Sequence, residues 1–109
     1  MPIQHTVVFR LIHPAGSAEE QEFLATGHAV LTSIPGVEDF TIRRQVSAKS
    51  DLTHQFSMMF ADQSVYDAYD AHPAHRAFVA ERWLPEVAEF QEYDFLEDFD
   101  LNTWALTEF

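Results

Sequence analysis

A chain of 109 residues with 47 % hydrophobic content carries enough apolar surface for one packed domain and too little for two. Eighteen acidic against six basic side chains leave a formal charge of -12, which opposes binding to nucleic-acid phosphates and to anionic membrane surfaces. With no cysteine, disulfides, thiol nucleophiles and thiolate metal sites are excluded, and a metal could take only His and carboxylate ligands.

Met1 to His5 lack the basic-then-apolar pattern of a leader, so the chain is expected to keep its own start. Apolar runs all fall short of the roughly 18 residues a membrane span needs, and the expected address is cytoplasmic. From Ile3 to His13, Ile3, His5, Val7, Phe9 and Leu11 share one parity and Gln4, Thr6, Val8, Arg10 and Ile12 the other, which predicts a strand. Pro14 and Gly16 end it. Ser17-Ala18-Glu19-Glu20 reads as a capping box that opens a helix, with Phe23, Leu24, Ala25, Val30, Leu31 and Ile34 as its buried stripe. Gly27 weakens that helix, and Ile34-Pro35-Gly36 stops it, because proline disfavours helix in the residue before it.

Val37 to Val46 alternates as a second strand, Ser47 to Asp51 turns, and Thr53 to Ala61 returns with His54, Phe56, Met58 and Phe60 on its deeper face. Asp62 or Ser64 caps a short helix through Tyr66 and Tyr69; Pro73 opens a further helical segment that Pro85 kinks or ends. Phe90 to Phe99 reads as the last strand. The order β-α-β-β-α-β is the split βαβ arrangement of ferredoxin-like α+β folds, with helices on one face of an antiparallel sheet. The bare face, with Val8, Ile12 and Met59 among polar residues, predicts a face-to-face homodimer. Residues 100–109 form an acidic extension in which Leu101, Trp104, Leu106 and Phe109 predict docking on the body or on the partner.

Six histidines are the main functional signal. His5 and His54 point to the helix-covered face of their strands, and Tyr69, His72 and His75, spaced by three, stack on one helical face if the helix runs through Pro73. Imidazoles and a phenol in an apolar pocket suit proton transfer at an enolisable carbon, His exchanging protons near neutrality and Tyr donating to an oxyanion. The plain alternative is that each is an amphipathic residue whose polar atoms bond to backbone. A metal reading would set His72 and His75 with His5 or His54 and Asp70 around zinc, but His-x-x-His falls short of the i, i+4 spacing of metal-binding helices, so no metal site is assigned. His13 and His28 read as structural or solvated. Phosphate-cradling Gly-rich loops and Gly-x-Ser-x-Gly elbows are missing, and no organic cofactor is indicated.

His5, Ile34-Pro35-Gly36-Val37, Thr53-His54, Tyr69-Asp70-Ala71-His72-Pro73-Ala74-His75 and Phe78-Val79 together resemble the stress-responsive dimeric α+β barrel family, often called Dabb, over roughly residues 3 to 95. The resemblance implies a domain over residues 1–99 and a homodimer whose two sheets pack into a barrel. One plant branch, of the olivetolic acid cyclase type, closes a linear polyketide thioester by cofactor-free aldol chemistry with a Tyr and a His. Tyr69 and His75 stand at the matching positions, which implies catalytic roles for them, with His5, His54 and His72, together with Phe56 and Met58, lining the ligand site. The implied ligand is polyketide-like or phenolic. Other readings are a non-catalytic small-molecule-binding or stress-associated dimer, a cofactor-free monooxygenase like those of a related barrel group, and a metal-binding protein. The long acidic C-terminus departs from the usual family end.

Overall fold

In the computed structural model, which describes residues 1–96, a four-stranded antiparallel sheet in the order β2-β3-β1-β4 carries all helices on one face. The elements are β1 (Ile3–Leu11), α1 (Ala18–Thr32), β2 (Glu38–Arg44), β3 (His54–Phe60), α2 (Gln63–Ala71), α3 (Pro73–Phe78), a π-helical turn (Val79–Trp83), α4 (Leu84–Glu86) and β4 (Val87–Leu96). This is the ferredoxin-like α+β arrangement that the order of alternating segments predicts. The last strand begins at Val87, three residues before the expected start, because Val87 already pairs with Leu11. Residues 97–99 of the expected strand and the extension 100–109 lie outside the described residues.

Strand parity translates directly into burial. Ile3, His5, Val7, Phe9 and Leu11 of β1 and His54, Phe56, Met58 and Phe60 of β3 are all buried beneath the helices. Phe9 sits at the centre, edge-on to Phe56 at 4.8 Å between ring centroids and 5.0 Å from Trp83. Full burial of one such side chain stabilises by about 1.5–3 kcal/mol. On α1 the buried positions are Glu20, Phe23, Gly27 and Leu31; Ala25 is exposed, since only i, i+3 and i+4 neighbours share a face. Gly27 has a packing role: a Cβ there would come within 2.8 Å of Phe56 Cζ, so the missing side chain lets the Phe56 ring lie against the helix.

Local signals set the element ends. Ser17 Oγ accepts from the Glu20 backbone N–H at 3.2 Å, whereas the Glu20 carboxylate reaches one residue beyond the usual capping box and accepts from Gly16 N–H at 3.1 Å. Gly36 takes φ +90°, a left-handed conformation, to turn the chain into β2. Asp62 caps α2 by accepting from Val65 N–H at 3.0 Å. The helix does not run through Pro73: His72 is extended (φ -65°, ψ 135°), as expected before proline, and its Nδ1 accepts from Ala74 N–H to cap α3. At the far end Arg82 bridges Glu22 of α1 and Glu86 of α4, and His13 Nε2 lies 2.7 Å from Glu86, tying the helices to the end of β1.

The opposite sheet face is polar at its centre. Gln4 donates to Ser57 Oγ at 3.0 Å and Gln55 to Thr6 Oγ1 at 2.7 Å, while Tyr93 and Phe95 of β4 are exposed beside them. No helix among the described residues is long and apolar enough to cross a membrane.

Candidate functional site

Between the inner face of β1, β3 and β4 and the α3 to α4 segment lies a cavity of about 230 Å³. Val7, Leu31, Phe56, Met58, Phe78, Val79 and buried Trp83 form apolar walls, joined by the exposed Leu84 and Phe90. The polar groups are few: His5, Tyr69, His75 and Glu92. A mainly apolar pocket with a small set of convergent polar groups is the common form of a small-molecule site. The volume is below the roughly 300–1,000 Å³ of drug-sized pockets, which points to a small ligand.

Each polar group has a traceable position. Tyr69 lies on α2 and His75 on the first turn of α3, and their rings meet at 4.5 Å between centroids even though the helix breaks between them. His75 Nδ1 lies 3.2 Å from the Asp70 carbonyl oxygen, so Nδ1–H donates to it and Nε2 is the unprotonated nitrogen of the neutral ring. Burial holds the His75 imidazole below its ordinary pKa, against the opposing pull of the Asp70 carbonyl and carboxylate. Burial likewise pushes the Tyr69 phenol well above its ordinary range, with Asp70 and Glu92 adding to the effect. At neutral pH the site therefore holds a neutral imidazole beside a protonated phenol, that is, a base and a hydrogen-bond donor.

His5 projects from β1 into the same cavity. Its Nδ1 lies 2.7 Å from Asp94 Oδ1 on β4 and 2.8 Å from the Tyr66 hydroxyl on α2. Tyr66 in turn donates to both Asp94 oxygens at 2.9 and 3.0 Å. Burial, and then the bond to Asp94, raise the Tyr66 phenol far above its ordinary range, so it stays a donor.

Of the residues the sequence singles out, Tyr69, His75, His5, Phe56 and Met58 share this cavity. His54 and His72 are not among its lining residues. His54 is buried at the start of β3, where its Nδ1 meets Thr53 Oγ1 at 2.9 Å and its Nε2 lies 4.0 Å from Glu20; His72 caps α3. Among the described residues no group of three or more His, Asp or Glu side chains is placed to hold a metal ion. Sequence reasoning missed Tyr66, Glu92 and Asp94. The parity of β4 puts Phe90, Glu92 and Asp94 on one face, but only the register, with His5 opposite Asp94 and Val7 opposite Glu92, reveals which residues they meet.

The chain belongs to the stress responsive A/B barrel domain (Dabb) family, whose model matches residues 3–97. A Dabb family protein with a ferredoxin-like fold from Mesorhizobium loti is 48 % identical, over 87 % of this chain and 95 % of that one, with a TM-score of 0.86. A dimeric ferredoxin-like protein of unknown function from Thermobifida fusca is 20 % identical over 87 % of this chain and 90 % of its own (TM-score 0.73). A hydroxynitrile lyase from Passiflora edulis is 14 % identical over 91 % and 97 % (TM-score 0.76), a likeness of fold alone. No curated protein matches the sequence.

Proposed function

We propose that the cavity binds a small, neutral, enolisable carbonyl compound of polyketide-like or phenolic type and carries out cofactor-independent acid/base chemistry on it. The observation that carries this reading is the pairing of His75 and Tyr69 in one apolar cavity, the imidazole held neutral and the phenol held protonated by burial. His75 Nε2 takes a proton from the carbon next to the carbonyl, and Tyr69 O–H donates to the enolate oxygen as charge develops there. The enolate can then be reprotonated or attack a second carbonyl, as in an aldol closure. Glu92 in the lining and Asp70 nearby disfavour an anionic ligand.

Hydrogen–deuterium exchange at the α-carbon of phenylacetone, followed by NMR, tests the reading. The wild type is expected to accelerate exchange over buffer, with His75→Ala abolishing the acceleration and Tyr69→Phe lowering it by roughly 10²–10³-fold, the usual loss for one oxyanion donor. Exchange at the buffer rate in the wild type, or acceleration that survives both substitutions, would refute it.

For quaternary structure we propose a homodimer through the bare sheet face. Exposed Tyr93 and Phe95 beside the Gln4, Thr6, Gln55 and Ser57 network support it, as does the dimeric Thermobifida fusca neighbour. Light scattering at micromolar concentration is expected to give the mass of two chains, and the mass of one chain would overturn the assignment.

A further inference from the structure

We infer that His5 is a second proton-transfer group of the cavity, positioned by Tyr66 and Asp94, and that the two imidazoles together fit the site for a 1,3-proton shift on a β,γ-unsaturated ketone. The inference rests on the assignment of His75 and Tyr69 as base and oxyanion donor, and adds a second site of proton exchange with the substrate class that needs one.

The geometry around His5 leaves little freedom. As a carboxylate, Asp94 can only accept, so the Tyr66 hydroxyl and His5 Nδ1–H both donate toward it, at 2.9 and 2.7 Å. With Nδ1 committed, His5 gains and loses protons at Nε2, which has no hydrogen-bond partner among the described residues. His5 is 5 % exposed and lines the cavity. A half-buried His–Asp contact joined by the Tyr66 hydroxyl as a second donor is more than packing a core histidine requires, since one backbone acceptor would satisfy Nδ1.

Both imidazoles neighbour one phenol. The His5 ring centroid lies 6.3 Å from that of Tyr69, and Tyr69 lies 4.5 Å from His75. They come from different elements, β1 and α3, and charge on His5 disfavours charge on His75. Repulsion thus sets the pair against carrying two charges at once, and with a single proton the pair offers one acid and one base.

For a β,γ-unsaturated ketone the step balances without any co-reactant. His75 Nε2 takes the proton from the carbon between carbonyl and alkene; that C–H bond breaks, an N–H bond forms, and the electron pair spreads over a dienolate whose oxygen accepts from Tyr69 O–H. His5, with a proton on Nε2, then gives it to the γ-carbon; a C–H bond forms there and the double bond moves into conjugation. Proton exchange with water resets both rings, and nothing is oxidised or reduced. The apolar walls and the neighbouring carboxylates suit a small neutral ketone of this kind.

Two measurements test the inference. Cyclohex-3-en-1-one serves as the probe, its conversion to the conjugated enone being followed by ultraviolet absorbance. The wild type is expected to isomerise it, and His5→Gln to lower isomerisation at least about tenfold more than it lowers α-exchange of phenylacetone. Long-range ¹H–¹⁵N NMR of the wild type is expected to show His5 protonated at Nδ1 throughout titration, and Asp94→Asn, an isosteric change at a half-exposed side chain, to release that tautomer and slow isomerisation without loss of folding. If the wild type exchanges the α-hydrogens of phenylacetone but does not isomerise the enone, or isomerises it equally well with His5→Gln, this inference fails and the base assignment of His75 stands. Should the wild type accelerate neither reaction, both fail. An unprotonated Nδ1 on His5 in the wild type would overturn the positioning role of Asp94.

Discussion

Tyr66 and Tyr69 lie one turn apart on α2 and are both buried, yet they should respond oppositely to loss of the hydroxyl. In Tyr66→Phe the chain loses a donor to Asp94 and a neighbour of His5 Nδ1. Hydrogen bonds to charged groups contribute about 1.5–3 kcal/mol. The Asp94 side chain is 49 % exposed, so water replaces part of what is lost and the expected cost is about 1–2 kcal/mol. For a domain of this size that corresponds to a Tm lower by roughly 4–10 °C. The Tyr69 hydroxyl has no such partner among the described residues, and its surroundings act on it through burial and distant charge. Tyr69→Phe should therefore leave stability within about 0.5 kcal/mol while cutting the proposed proton transfer. Thermal unfolding of both variants at one fixed protein concentration, so that any association contributes equally, decides the matter. Equal Tm shifts, or a larger loss for Tyr69→Phe, would refute the assignment of the two hydroxyls.

Gly36→Ala should destabilise by about 2–5 kcal/mol: a left-handed backbone costs a non-glycine residue about 1–2 kcal/mol, and the new Cβ would lie 2.3 Å from Val65 Cγ1, an overpacking cost of about 1–3 kcal/mol. Adding Val65→Ala should recover the contact part and leave the backbone part, as chemical denaturation would show; full rescue would contradict a backbone role for Gly36. Stability should also fall on acidification. Burial lowers the imidazole pKa of His54, opposed by Glu20 and assisted by Arg44, and burial lowers that of His75. Between those lowered values and the unfolded value near 6.5 the unfolded chain binds more protons. The contribution is thus complete above about pH 7 and is lost as pH drops below about 6.5 toward the folded values. Unfolding measured at pH 7.5 and 5.5 should show this loss, and a His54→Gln, His75→Gln double variant should show less of it; an equally steep loss in the double variant would refute the assignment.

How much could be read from the chain differs by residue. Alternation in β1 and β3 assigned His5, Val7, Phe9, Phe56 and Met58 to the covered face, because successive side chains of a strand point to opposite sides whatever the rest of the molecule does. Ser17, Gly36, Asp62 and Pro73 marked ends and turns through bonds and torsions that reach only a few residues. The three-residue spacing of Tyr69, His72 and His75 would stack all three only on a continuous helix, and the condition is not met: proline turned His72 into a cap, and a new helix brought the His75 ring against Tyr69. Gly27, read locally, was a weak point in a helix; in the fold it is the place where Phe56 packs.

The candidate site divides along the same line. The type and facing of its histidines were legible because they follow from periodicity, which is a property of neighbouring residues. The meeting of His5 with Asp94, 89 positions later, and with Tyr66, 61 positions later, was not. Contacts of that span depend on the register of β4 against β1 and on how α2 lies across the sheet, and both are set by packing of the whole core. Residue periodicity thus determined which groups could enter the cavity, and tertiary packing decided which of them meet there.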